Sequence, residues 1–265
     1  MPKGWGVVKL KVIDRILVKM QRKFGQWFLP LIIIAALLAA GCNTISATNA
    51  EVSTPSNQTT LAAKYSNLPK LNGKATVVMT VNGSPITIEV DGTNAPITAG
   101  NFVDLVHKGV YDGLAFHRVV QKPQPFVVQG GDPQSKDPNF PIARLGTGGF
   151  TDPMTSKSRY IPLEIKPKET SETIYSQTFD EAGIQQQPAL PHTRGAVAMA
   201  RSNPPDSASS QFYFALTDLP FLNGSYAVFG YVTQGMKEVV DQIEAGDRIE
   251  SAEVVEGLEN LTTSN

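Results

Sequence analysis

Apolar residues recur at two different periods along this chain, and the switch between them predicts its elements. Runs rich in β-branched residues at 76–81 and 86–90 flank Asn82-Gly83. Asn-Gly tolerates positive φ at both central positions of a type I′ turn, so these residues are predicted to form a β-hairpin. After Pro96 the spacing becomes helical: Phe102, Leu105 and Val106 share one stripe, with Thr98 as N-cap and Gly109 as the C-terminal stop. Met236, Val239, Val240 and Ile243 form a second stripe, ended by Gly246, which predicts a second helix. Around these helices lie only short β-rich runs broken by Gly and Pro. Many short strands with two helices predict an all-β fold, a closed β-barrel, because a βαβ sheet sets a helix after every strand.

The amino-terminal residues follow another pattern. Residues 28–40 are an apolar run shorter than the roughly 20 residues that span a bilayer as a helix, and they suit the apolar region of a secretory signal. Lys3, Lys9, Lys11, Arg15, Lys19, Arg22 and Lys23 precede the run against a single acid, Asp14, the charge bias of an exported chain. Met20 opens a version with more ordinary signal proportions and is the expected start of translation. The run ends at Ala39-Ala40-Gly41-Cys42, and Cys42 is the only cysteine, so no intramolecular disulfide can form. Small residues before a cysteine that directly follows an apolar run resemble the bacterial lipobox. This predicts a signal peptide over 1–41, lipid on the Cys42 thiol and a membrane anchor facing the periplasm or another extracytoplasmic compartment. Cleavage at an ordinary small-residue site, for example after Ala47, is the alternative.

Residues 42–69 are rich in Ser, Thr, Asn and Ala and bury too little apolar surface to offset their ordering entropy, so they are expected to act as a flexible tether. The whole chain has 265 residues, 41% of them apolar, enough for one globular domain, expected over 70–260. Loss of residues 1–41 leaves 16 basic and 23 acidic residues, a net charge near −7. No basic patch remains, which argues against a nucleic-acid partner.

The chemistry lies in an ordered set of short motifs. Phe116-His117-Arg118 is followed by Gln129-Gly130-Gly131-Asp132, then Gly146-Thr147-Gly148-Gly149, then Ala198-Met199-Ala200-Arg201. Ser210-Gln211-Phe212-Tyr213-Phe214, Phe221-Leu222-Asn223-Gly224 and Val228-Phe229-Gly230 complete it. In this order the set resembles the cyclophilins over residues 73–258. The resemblance implies an eight-stranded antiparallel barrel with a helix capping each end, and a peptidyl-prolyl cis-trans isomerase that needs no cofactor and acts on proline-containing polypeptides, as a monomer. It also implies Arg118 as the catalytic residue. Phe126, Val127, Ala200, Tyr213, Leu222 and Tyr226 would line a proline pocket, with Phe221 beside them. Gln129 and Gln211 would add hydrogen bonds, and Arg201 would offer backbone groups.

Residue geometry agrees with that division of labour. In Gln211-Phe212-Tyr213-Phe214 the period of two puts Gln211 and Tyr213 on one face and the two phenylalanines on the other, and Val127 shares a face with Gln129. Departures from the commonest eukaryotic pattern are Phe221 in place of Trp, Tyr226 in place of His and Arg201 in place of Asn, which puts cyclosporin-type inhibition in question. A short extra segment, 121–125, separates Arg118 from Phe126. A further stretch around 165–191 is longer than in minimal family members and is expected to be an exposed loop.

Other chemistries fit poorly. With three histidines, one cysteine and no ligand spacing, no metal site is expected. Residues 146–149 lack the lysine and strand-to-helix setting of a phosphate loop and read as a tight backbone turn. Ser207, Ser209 or Ser210 with His117 and Asp132 could be drawn as a hydrolytic triad, but no Gly-x-Ser-x-Gly elbow exists. His117 reads as a packed, hydrogen-bonded histidine. The competing function is a non-catalytic module or chaperone that grips proline segments without turning them over.

Overall fold

In the computed structural model, residues 64–263 are described. The signal segment, Cys42 and most of the tether lie outside the described residues. Among the described residues no helix is long and apolar enough to cross a membrane.

The predicted hairpin forms as β2 (Lys74–Val81) and β3 (Ser84–Asp91), paired from Lys74↔Asp91 to Val81↔Ser84. Asn82 and Gly83 take φ of 51° and 70°, as a type I′ turn requires. Helix α1 (Pro96–His107) follows. Its N-cap is Ala95, whose methyl group makes no capping hydrogen bond, and not Thr98 as the sequence suggested. The first turn is satisfied from a distance: Glu164 accepts from Ile97 N at 3.1 Å, Thr98 N at 2.7 Å and Thr98 Oγ1 at 2.8 Å. Pro96 at the first helical position needs no donor partner, and the acidic cap complements the helix dipole. Gly109, at φ 64°, ends the helix as predicted.

The second predicted helix is absent. Residues 235–243 make one wrapped turn whose amides bond at mixed separations, Val239 to Gly235, Asp241 to Met236 and Gln242 to Val239, followed by a short 3₁₀ turn at Val240–Gln242. Val239, Val240 and Ile243 are buried, so the apolar stripe reported packing correctly but not backbone geometry.

The remaining strands of the main sheet are β4 (Arg118–Val119), β5 (Val127–Gly130), β8 (Ala196–Met199), β9 (Phe212–Ala215), β10 (Val228–Gln234) and β11 (Ile249–Glu256). Short pairs β1 (Lys70–Leu71) with β12 (Leu261–Thr262), and β6 (Glu164–Ile165) with β7 (Ile174–Tyr175), stand apart. The eight-stranded sheet runs β11-β2-β3-β10-β8-β9-β5-β4 and curls into a half-barrel. It is open, not closed as expected. Among the described residues its edges approach through an isolated bridge, Ala115↔Arg248, and neighbouring backbone bonds such as Phe116 N to Asp247 O at 2.8 Å.

The concave face is packed with aromatic rings against α1. Phe102 lies 5.5 Å from Phe212 and 4.8 Å from Phe229, and Phe212 packs edge-on to Tyr111, Phe116 and Phe214. These rings are fully buried. The stretch 165–191 is not a simple exposed loop. Phe179 is buried with Leu163, Ile165 and Ala227 in a small separate cluster, and its amide donates to Gly224 O at 2.8 Å.

Candidate active site

Five strands bring the site together in one row. The register pairs Arg118 with Gln129, Gln129 with Tyr213, Tyr213 with Ala198 and Ala198 with Val228. Directly opposed residues in antiparallel strands share a face. The row therefore lies on the side opposite Phe212 and Phe214, as the period-two reading of 211–214 predicted. Segment 121–125 forms the loop of the β4–β5 hairpin, closed by Val120 N to Val127 O and Phe126 N to Val120 O, both 2.9 Å. The extra residues thus leave Arg118 in register with the rest of the row.

A recess of about 110 Å³ opens over this row, lined by Arg118, Val127, Gln129, Ala200, Arg201, Tyr213, Leu222 and Tyr226. Its apolar floor belongs to a cluster of Val127, Ala198, Tyr213 and Val228 with Phe126, Leu222 and Tyr226 against it. Three residues assigned to the site stand outside the recess. Phe221 is 68% exposed and stacks on Phe126 at 6.1 Å, so the two form a rim. Gln211 lies one step back. It lines a larger adjoining groove of about 640 Å³ with Gly146–Gly149, Tyr160 and the 201–207 segment.

Arg118 sits at the mouth of the recess. Its guanidinium lies 5.4 Å from the Phe126 ring centre, and Nη1 donates to Gln129 Oε1 at 3.3 Å. Gln129 Nε2 donates to Gln211 Oε1 at 3.1 Å, and Gln211 Nε2 to Gly148 O at 2.7 Å. All three bonds point the same way, so each polarises the next. Among the described residues Arg118 makes no ion pair. Its charge and remaining N–H groups stay available beside an apolar surface.

The backbone turn at 146–149 is itself anchored. Buried Asp132 accepts from Gly146 N at 2.6 Å, Gly148 N at 3.1 Å and Gln134 N at 2.9 Å. A Cβ on Gly148 would collide with that carboxylate, which explains the glycine. The same bonds dismantle the triad drawing. Ser209 Oγ accepts from Phe150 N, and Ser210 Oγ donates to Gly131 O. His117 is half-buried, and neither ring nitrogen has a hydrogen-bond partner, contrary to the sequence reading. Burial lowers its pKa, partly offset by the charge of Asp132.

Sequence reasoning missed the support beneath the floor. Asn223 Oδ1 accepts from His192 N at 2.8 Å and faces His192 Nδ1 at 3.1 Å, and His192 Nε2 meets the Tyr213 hydroxyl at 2.9 Å. Because an amide oxygen only accepts, Nδ1 carries the proton and Tyr213 donates to Nε2. The Tyr213 hydroxyl thus points out of the recess and leaves its ring as floor. Burial pushes His192 down to about 4 and the Tyr213 hydroxyl upward. No local signal marks this bridge, since its partners stand far apart in sequence. Arg201 is also committed: its guanidinium lies over Tyr226 at 4.8 Å and donates to Ser225 O, Ser202 O and Asn203 O. Among the described residues no cluster of three or more His, Cys, Asp or Glu side chains could hold a metal ion.

Residues 76–261 match the family model described as cyclophilin type peptidyl-prolyl cis-trans isomerase/CLD, so the chain belongs to that family. It is 43% identical over 212 residues to a putative thylakoid lumen peptidyl-prolyl cis-trans isomerase of Synechocystis sp., covering 76% of this chain and 52% of that protein. It is 40% identical to a chloroplastic isomerase of Arabidopsis thaliana, covering 75% and 46%. The chain thus spans about half the length of these two relatives. A probable isomerase of Brucella abortus is 36% identical, with 68% and 76% covered. Among solved structures, a Cryptosporidium parvum cyclophilin superposes with a TM-score of 0.51 at 22% identity, covering 69% of this chain and 98% of that one, a likeness of fold.

Proposed function

We propose that this protein is a peptidyl-prolyl cis-trans isomerase acting on proline-containing polypeptides, with Arg118 as its catalytic residue. The observation that carries the reading is an unpaired guanidinium at the mouth of a small apolar recess on the strand row. A bond before proline resists rotation with a barrier of about 18–20 kcal/mol because the planar amide is resonance-stabilised. In the half-turned state resonance is lost and the nitrogen becomes pyramidal with a free lone pair. A donor that meets this lone pair stabilises the twisted state over the planar one, which is what accelerates rotation.

In this reading the proline ring enters the recess against Val127, Tyr213, Leu222 and Tyr226, while Phe126 and Phe221 cover its rim. Gln129 holds Arg118 toward the nitrogen, and the flanking peptide runs along the larger groove past Gln211. One charge-assisted hydrogen bond contributes about 1.5–3 kcal/mol, and poor solvation of the planar amide in the recess adds to it. The test is cis/trans exchange in a short Xaa-Pro peptide, followed by NMR. Arg118→Ala is expected to lose roughly a hundredfold in kcat/KM. Unchanged exchange in the variant would reject the role of Arg118. A wild type that binds the peptide without exchange would favour the binding-module reading.

The names of the Synechocystis and Arabidopsis relatives place those proteins in a thylakoid lumen and a chloroplast, which supports export of this chain from the cytoplasm. We extend this to a monomeric folding assistant for extracytoplasmic polypeptides, tethered by the residues between Cys42 and Lys64 to lipid on Cys42. Cys42→Ala is the matching substitution, and the variant should leave the membrane fraction.

A further inference from the structure

We propose that Tyr65, which lies before the family-matched residues 76–261, is a positioning residue that holds one wall of the peptide groove. The inference rests on the groove's serving the peptide, as proposed above. Residues 201–207 form that wall, with Arg201, Ser202, Pro204, Asp206 and Ser207 facing the cavity. Within the wall Ser202 N donates to Ser207 Oγ at 3.0 Å, and Ser207 Oγ donates to Pro204 O at 2.6 Å. Arg201 ties the start of the wall to Ser225 O, and these local bonds leave its far end, at Pro204 to Ser207, to be held separately.

Asp206 supplies that fixing. Its Oδ2 accepts from the Tyr65 hydroxyl at 3.0 Å and from Ser176 Oγ at 2.9 Å, and its Oδ1 from Leu163 N at 3.3 Å. Lys64 Nζ adds an ion pair at 3.5 Å. The Tyr65 hydroxyl also lies 2.7 Å from Ser176 Oγ, which closes a triangle of three side chains. Tyr65 is 8% exposed, packed with the main core, with its ring 6.1 Å from Tyr175. A residue from the expected tether is thus buried and spans from the core to the groove wall. The last residues of that tether, 64–69, are part of the folded body. Among the described residues the recess holding Arg118 shares no hydrogen bond with this triangle, and it meets the wall at Arg201, which Ser225 O holds independently, so the effect falls on residues flanking the proline.

The test compares the full chain with Tyr65→Phe and Ser176→Ala on two substrates: a blocked Xaa-Pro dipeptide that reaches only the recess, and a hexapeptide that fills the groove. Removing one bond to Asp206 is expected to raise the hexapeptide KM roughly three- to tenfold. Its kcat and the dipeptide kcat/KM should stay unchanged, while the Ser202 and Ser207 amide resonances shift. An unchanged hexapeptide KM, or an equal fall in kcat on both substrates, overturns the proposal. If the wild type turns over neither peptide, the isomerase reading fails, and hexapeptide Kd in the same variants decides the role of Tyr65 instead.

Discussion

The two faces of strand β9 are built by different rules. Phe212 and Phe214 point inward, where rings meet rings and volume is what matters. Gln211 and Tyr213 are turned to the other face, toward the groove and the recess, where each polar atom has an assigned partner. One face is specified by filling space and tolerates few changes in size. The other is specified by direction: amide dipoles in line behind Arg118, and a tyrosine hydroxyl turned away toward His192. Stability should therefore respond mainly to the first, and turnover mainly to the second.

The largest expected effect is on the inner face. Phe212→Ala should lower the free energy of unfolding by about 3–5 kcal/mol, as denaturant titration would show, because four rings lose a partner at once. Next comes Arg118→Ala, whose hundredfold loss of exchange corresponds to about 2.7 kcal/mol of transition-state stabilisation, with an unfolding midpoint close to wild type. If Arg118→Ala melts early, or Phe212→Ala loses exchange while still folded, the division between faces is broken.

A smaller effect sharpens the outer face. His192 titrates near 4 in the fold against about 6.5 unfolded, so the unfolded chain binds more protons between those values. Stability contributed by the neutral ring is complete above pH 6.5 and is lost as pH falls toward 4. The loss at pH 5 relative to pH 8 is about 2 kcal/mol. Denaturant titrations of the wild type and His192→Gln should differ by this amount, and parallel pH curves would remove His192 from the bridge. Smallest of all, kcat/KM should be nearly flat from pH 6 to 8. A guanidinium carries its charge at any physiological pH, and burial lowers the pKa of His117 and takes that of His192 down to about 4. A bell-shaped profile would bring His117 into the chemistry.

What was legible in the sequence was local. The Asn82-Gly83 turn, the face shared by Gln211 and Tyr213, and the stop at Gly109 depend on a few adjacent residues and came out as read. The order of short motifs carried the family and most of the recess. What was missed depends on distant partners. Thr98 has the right chemistry for a cap, but Glu164 takes its amide instead, 66 residues away. The Met236–Ile243 stripe has helical spacing because it faces the core, yet Gly235 at φ 85° starts a tight wrap that cannot propagate as a helix. Openness of the sheet follows from which edges bond, and no residue pattern encodes that. The stretch 165–191 reads as an exposed loop from its extra length, yet it buries its own Phe179 against Leu163, Ile165 and Ala227.

Glu164 has one more implication, for anyone wishing to trim this molecule to a smaller scaffold. The exposed tip at residues 168–172 could be shortened, but the acid that leads into this stretch cannot go with it. It is 1% exposed, and burial raises its pKa against the pull of three donors. A graft that replaced it with alanine would strand those donors in a dry interior and unravel the opening turn of the helix behind the aromatic cluster.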